Sequence, residues 1–248
     1  MTHIPDGTAS MEALVHGARR LPRVFHAGES ELGPEEVLEA LRPFISPERA
    51  ERIAAVVQSR AKGVAVVVEG LVNSGNVAAV MRTAEGLGYL RFDIISGDTV
   101  YKHSARTTQG AEKWLDVRVW DEARQCVENL KAGGFRVVAA HLDDNARPIG
   151  DFDFSVPTAL VFGNELGGVS SAMLDAVDAT CIIPMSGFAQ SFNISVAAAT
   201  CLYHAREDRF RRAGHGDLDA DEKRWLHAAY AVRAVGHSQD ILDRWSAR

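Results

Sequence analysis

Three segments of this chain combine glycines, a short β-branched or apolar run and polar side chains at a helix start, the arrangement that lets a loop wrap a small molecule. The first is Val68-Glu69-Gly70-Leu71-Val72-Asn73-Ser74-Gly75-Asn76, which continues through Val77 to Arg82. Asn76 and Arg82 lie six residues apart, so on a helix at about 100° per residue they occupy different faces, with Asn76 at the mouth of a ligand crevice. A helix N-cap is the competing reading of Asn76. The second runs from Val161 to Ser170 and holds Gly163, Gly167 and Gly168 around Asn164 and Glu165. Glycines so placed allow a tight turn or a close backbone approach to a ligand. The third, Ile182 to Asn193, ends an apolar strand, passes Pro184 and Gly187, and delivers Ser191 and Asn193 to the start of an alanine-rich helix. Such a loop is suited to wrap an adenine and set Ser191 and Asn193 on a substrate, although an ordinary buried helix gives the same pattern. The second segment is not a dinucleotide G-x-G-x-x-G fingerprint. No Lys-Ser or Lys-Thr follows the glycines, so a phosphate-binding P-loop is also excluded.

The elements that must position these loops alternate between strand and helix. Residues 64–68 are a β-branched run, followed by a helix from Asn76 to Leu87 that Gly88 ends. Strands are predicted at Phe92–Ile95, Arg136–Ala140, Thr158–Phe162 and Cys181–Ile183, with helices at Glu122–Lys131, Ser170–Val177 and Ser191–Asp208. Repeated β-then-α units imply an α/β fold with a mostly parallel sheet flanked by helices. In such sheets ligands bind at the carboxyl ends of the strands, which is where all three segments fall. The first 60 residues read as helical, with Pro34 and Pro47 at first helical positions and Ser46 as a cap. A polar hinge from Arg212 to Asp219 precedes a helical C-terminal segment to Trp245. The expected organisation is a helical arm over 1–62, the main domain over 63–211 and a helical extension over 212–248.

At 248 residues and 46% hydrophobic, the chain has material for one sizeable core with appended elements. Its apolar stretches are far shorter than the roughly 20 residues of a membrane span, and its N-terminus lacks the order of a secretory signal. A cytoplasmic location is expected. Cys126, Cys181 and Cys201 are widely spaced, and no H-E-x-x-H or C-x-x-C pattern accompanies the nine histidines. The cysteines read as buried small hydrophobes, and no metal is expected. The formal net charge of -6 weighs against nucleic acid, because phosphate affinity comes largely from Lys and Arg. Local basic groups nevertheless occur at Arg19, Arg20 and Arg23, at Lys102, Arg106 and Lys113, and at Arg206, Arg209, Arg211 and Arg212.

Taken together and in this order, the three segments resemble the three signature motifs of the SpoU family of SPOUT methyltransferases, and the chain is most similar to the TrmH branch. The resemblance covers residues 64–208 and includes the stretch from Ser104 to Lys113-Trp114. Two positions depart from the family pattern: Ser74-Gly75-Asn76 replaces Pro-x-Asn, and Phe192 replaces Leu. The resemblance implies a deep trefoil knot at the C-terminal end of the domain, a homodimer with sites near the subunit interface, and S-adenosyl-L-methionine (S-adenosylmethionine) as cofactor. Transferred by position, it implies catalytic roles for Asn76, Arg82, Glu165, Ser191 and Asn193. It places the cofactor against Ala140, Leu142, Gly163, Ile183, Met185, Ser191 and Phe192. RNA contacts are expected at Arg19, Arg20, Arg106, Lys113 and Arg211. The implied reaction is 2′-O-ribose methylation of RNA, with the D-loop guanosine at position 18 of transfer RNA as target. Ribosomal RNA methylation is the alternative, and a catalytically silent RNA-binding protein a further one.

Overall fold

The computed structural model describes residues 20–70, 74–96, 108–164, 167–214 and 216–247. They divide into two units, one joining 21–61 to 216–247 and the other built on 62–214.

In the unit that joins the two ends of the chain, a hairpin of β1 (Phe25–Ala27) and β2 (Ser30–Leu32) precedes α1 (Pro34–Leu41) and α2 (Pro47–Ser59). The C-terminal partners are α7 (Ala220–Ala234) and α8 (Ser238–Ser246). The hairpin corrects the expectation that the first 60 residues are helical. Gly28 adopts φ +57 at its tip, a conformation that favours glycine and turns the chain back within two residues. The hairpin tip is held by the Gly28 amide donating to Asp243 at 2.9 Å and by Gln239 donating to the His26 carbonyl at 2.8 Å. Ser46 caps α2 as expected, its hydroxyl accepting from the Arg49 amide at 3.3 Å.

The larger unit carries a seven-stranded sheet in the order β5-β4-β3-β8-β6-β9-β7. In chain order its elements are β3 (Ala61–Glu69), α3 (Ser74–Gly86), β4 (Tyr89–Ile95), β5 (Asp116–Trp120), α4 (Ala123–Ala132), β6 (Arg136–Ala140), β7 (Arg147–Pro148), β8 (Thr158–Phe162), α5 (Ser171–Leu174), β9 (Ala179–Ile182) and α6 (Ile194–Arg212). The pairs β3–β8, β8–β6, β6–β9, β9–β7 and β4–β5 are all parallel. Residues 64–68 of β3 are at most 1% exposed, as a central parallel strand covered on both faces must be. One face packs against α4 and α5 through Val67, Val137, Val161, Cys126, Leu130 and Met173. Helix α4 ends where Gly134, at φ +81, lets the chain leave it.

Sheet strand β5 was not anticipated. Its Asp116 and Arg118 interrupt the apolar pattern, yet Arg118 donates to Asp116 at 3.0 Å and Trp120 donates to the fully buried Asp93 of β4 at 2.7 Å. Arg91 completes this edge by pairing with Asp93 at 2.7 Å. The helix expected over 170–177 shortens to α5, and α6 starts at Ile194 rather than Ser191 because Asn193 is its cap.

At its far end α6 is fastened by Asp208, whose side chain is only 6% exposed. It accepts from the Phe154 amide at 3.0 Å and from Arg212 Nε at 2.9 Å, while Arg209 donates to the Phe154 carbonyl at 2.8 Å. Burial works to raise the Asp208 pKa, but the bonds from Phe154, Arg212 and Arg211 outweigh it and hold the carboxyl below its usual range. A carboxyl depressed in the folded state contributes stability above its unfolded pKa and loses it as pH falls through the folded value. Asp208→Asn is therefore expected to cost about 1–3 kcal/mol at neutral pH, the range for a disrupted buried hydrogen-bonded group. Urea titrations across pH should show the gap from wild type narrowing below the ordinary carboxylate range, and a pH-independent gap would contradict this account.

Candidate functional site

Parallel pairing brings the carboxyl ends of β3, β8, β6 and β9 to one edge of the sheet, and two of the glycine-bearing loops interlock there. After β8 the chain turns through Gly163 and closes on itself, Asn164 N–H donating to the Gly168 carbonyl at 3.1 Å and Gly168 N–H to the Asn164 carbonyl at 2.9 Å. A Cβ on Gly163 would run into the Gly168 carbonyl and the Val169 nitrogen, so the loop can close only around a glycine. The Asn164 side chain accepts from the Gly167 amide at 2.7 Å and packs directly over Gly70, which sits at φ +78 just past β3. Ser170 caps α5, and both its amide and its hydroxyl donate to the Glu69 carboxylate, at 2.9 and 2.6 Å. Glu69 is 8% exposed.

The third loop, between β9 and α6, faces the second across a cavity of about 670 Å³, within the size range of small-molecule sites. Phe162, Ile182, Ile183 and Met185 give it apolar wall, and Asn164, Gln190, Ser191 and Asn193 add polar groups. The Asn193 side-chain oxygen accepts from the Ser195 amide at 2.9 Å and the Ser195 hydroxyl at 2.6 Å. Its oxygen is thus committed to capping α6, which leaves the NH2 group for a ligand. Cys181 and Cys201 meet in the cavity wall. Their mutual hydrogen bond, with burial, pushes the Cys201 thiol far up, so that it stays neutral. No Lys or Arg is found among the described lining residues.

Every position to which the sequence assigned cofactor contact lines this one cavity: Ala140, Leu142, Gly163, Ile183, Met185, Ser191 and Phe192. Asn193 joins them. Asn76 and Arg82 lie instead on α3, which packs against α6; Asn76 is half-buried in the first helical turn and Arg82 is exposed. Because α3 begins at Ser74, Asn76 is inside the helix and the N-cap reading is set aside. Glu165, Arg106 and Arg19 lie outside the described residues. Lys113 is exposed in a 3-10 turn, Arg20 is half-buried, and Arg211 is exposed at 3.3 Å from Asp208. Of the basic run ending α6, Arg209 is 3% exposed, and Arg212 pairs with Asp208 and with Asp153, which removes two of its cations from the free surface.

Residues the motif reading passed over are His141 and Gln190 in the cavity wall, and Glu69 between the loops. Glu69 had a legible signal, since a carboxylate directly after a fully buried strand must find donors.

No helix among the described residues is long and apolar enough to cross a membrane, and no metal-binding cluster occurs among them. Residues 63–203 match the SpoU rRNA Methylase family. The tRNA (guanosine(18)-2′-O)-methyltransferase of Aquifex aeolicus is 35% identical over 168 residues, spanning 67% of this chain and 79% of that protein. The crystal structure of the A. aeolicus TrmH/SpoU tRNA modifying enzyme superposes with a TM-score of 0.64 at 30% identity, over 81% of this chain and 95% of that one. The SpoU methyltransferase AviRb from Streptomyces viridochromogenes, solved in complex with AdoMet, gives 0.54 at 30% identity over 61% and 62%. With more than half its length matched, and with the loops of that domain converging on one cavity, the chain belongs to the SpoU methyltransferase family.

Proposed function

We propose that this protein transfers a methyl group from S-adenosylmethionine to the 2′-hydroxyl of an RNA ribose, and that its substrate is the D-loop guanosine at position 18 of transfer RNA. The observation that carries this reading is the cavity at the carboxyl edge of the sheet, walled by the loops that follow β6, β8 and β9. Its residues fit the cofactor. An adenine suits the apolar wall of Ile183, Met185 and Phe192, Gly163 lets the backbone come close, and Ala140, Leu142 and Ser191 complete the enclosure. The absence of Lys and Arg from the described wall suits a cationic sulfonium, which a neighbouring like charge would repel.

When bound, the cofactor supplies an electrophilic methyl on sulfur. The protein's own task is alignment: the ribose oxygen must stand about 3 Å from that carbon, in line with the bond that breaks. A guanidinium stays protonated across the accessible pH range, so Arg82 serves by holding a substrate phosphate and stabilising the alkoxide as the hydroxyl proton passes to solvent water. Asn193, with its oxygen tied into the α6 cap, offers donors to the sugar. Ser191 and Asn76 orient the ribose and Arg82, and Glu165 fixes the second loop.

The finer organisation proposed is a catalytic domain over 63–211 closed by a deep trefoil knot, with extensions over 1–62 and 212–248. A homodimer is proposed as well. Support for it comes from Val196, Tyr203 and Phe210 on α6, which are 48, 55 and 49% exposed. Spaced by seven, they form one apolar stripe that a second copy would cover. RNA is gripped through Arg19, Arg20, Arg106, Lys113 and Arg211, and the enzyme works in the cytoplasm.

Two measurements test the proposal. Gly163→Ala should abolish calorimetric binding of S-adenosylhomocysteine while far-UV circular dichroism stays native, since the added methyl forces the second loop open; unchanged affinity would remove this cavity as the cofactor site. Arg82→Ala should lower kcat for methylation of transfer RNA about 10²-fold or more, as loss of a donor to developing charge does, with cofactor affinity unchanged. Full turnover in both Arg82→Ala and Arg82→Lys would exclude Arg82 from the chemistry. Label entering ribosomal RNA alone would overturn the substrate, and label entering no RNA would overturn the activity.

A further inference from the structure

The cofactor cavity and Arg82 belong to different parts of the larger unit, so something must fix one relative to the other. The cavity is built on the loops after β6, β8 and β9, whereas Arg82 is carried by α3 beyond the end of β3. Strands β3 and β8 keep register to Val68 opposite Phe162, and after that pair the ladder gives no further alignment. Past this point the two chains are held by side chains. Glu69, one residue beyond the ladder, accepts at 2.9 Å from the Ser170 amide and at 2.6 Å from the Ser170 hydroxyl. Gly70 lies under the Asn164 side chain, whose oxygen in turn accepts from the Gly167 amide at 2.7 Å. The Gly70 amide donates to the Ile95 carbonyl at 3.2 Å, which ties the same point to β4. Glu69 therefore grips the second loop at its far end, and Asn164 grips the first at its start.

We infer that Glu69 is a positioning residue for methyl transfer, setting the glycine loop that holds the methyl donor in register with the helix that carries Arg82. It does so without lining the cavity, through two charge-assisted hydrogen bonds to Ser170 in a buried setting, where such bonds are short and directional. The consequence is specific. Binding of either ligand alone tolerates a small shift between the two loops, but in-line transfer does not, because a misplacement of about 1 Å at a distance from the reacting atoms costs about 10²-fold in rate. The inference rests on the methyltransferase reading given above.

Glu69→Ala, assayed in the full chain with transfer RNA, should lower kcat about 10²-fold while KM for RNA and the Kd for S-adenosylhomocysteine change little. Glu69→Gln should recover most of that loss, because its amide can accept from the Ser170 amide and donate to the Ser170 oxygen. Ser170→Ala should follow Glu69→Ala, and Ser170→Thr should follow wild type. In an Arg82→Ala background the Glu69→Ala change should cost almost nothing further, since the group it positions is gone. Wild-type kcat in both Glu69→Ala and Ser170→Ala overturns the inference, as does a loss confined to cofactor Kd or one that multiplies in full with Arg82→Ala. If Glu69→Ala does not fold, the Ser170 pair decides by the same criteria. A wild-type protein that methylates no RNA overturns the methyltransferase reading instead. Hydrogen exchange then judges the clamp: faster exchange at 163–170 in Glu69→Ala or Ser170→Ala, with Glu69→Gln close to wild type, supports it, and unchanged protection in both alanine variants sinks it.

Discussion

Parallel strand pairing sets Val68 level with Phe162, Phe162 level with Ala140, and Ala140 level with Cys181. Four strands thus end within one residue of a common line, and the loops that follow them leave the sheet at the same edge. Residues 64–68, 158–162 and 137–139 are buried on both faces, so a slip of one residue in any pair would exchange the side chains packed on one face for those fitted to the other. The hydrophobic register of the core is therefore also the register of the site. Gly163, Asn164, Ile183, Ser191 and Asn193 come from segments far apart in sequence, yet they converge without any of them contributing much to the core.

The α/β alternation was legible because its strands are short, β-branched and bounded by glycines, and Arg136–Ala140 and Thr158–Phe162 appear with the boundaries that patterning predicts. Elements that escaped notice are those whose stability comes from partners distant in sequence. The β1–β2 hairpin is only three residues to a strand and is held by Asp243 and Gln239 from the other end of the chain. Strand β5 carries Asp116 and Arg118 on its length, and only their pairing beside Asp93, Arg91 and Trp120 makes a buried edge of them. The loops that meet at the cavity were legible as loops, since glycines and a helix cap mark them. His141 and Gln190 were not singled out, because a lone polar residue in a loop has no periodicity to mark it. Their meaning depends on which loop folds over them.

The charge balance bears on how an acidic chain would engage a polyanion. The helical unit contains five basic and seven acidic residues in 21–61, and five and six in 216–248, so it adds no positive field of its own. In the larger unit the densest run of arginines, from Arg206 to Arg212, is largely paired with carboxylates or buried: Arg206 pairs with Glu207 and stacks on Phe210, Arg209 is buried against Phe154, and Arg211 and Arg212 pair with Asp208, Arg212 also with Asp153. Clustering in sequence is thus a poor measure of free positive surface. Long-range attraction of a phosphate backbone would be weak, and recognition of the proposed RNA falls to a few locally placed side chains and to the shape of the site.

Helix α6 joins these themes, because its two ends meet different demands. At 19 residues it spans about 28 Å. Its first turn is capped by Asn193 at the cavity, and its last is fastened by Asp208 and Arg209 to residues around Phe154. Midway, the Tyr89 hydroxyl donates to the Leu202 carbonyl at 2.8 Å, an anchor buried within the unit. Three fixed points along one rod leave little freedom for rotation or sliding, so the Asn193 NH2 group is aimed by contacts made as far as four turns away. The outward face of the same rod carries Val196, Tyr203 and Phe210 and makes none of these contacts. A helix clamped this firmly on one side can present an apolar stripe on the other without losing its position, and any partner that covered the stripe would read a surface already rigid with respect to the site.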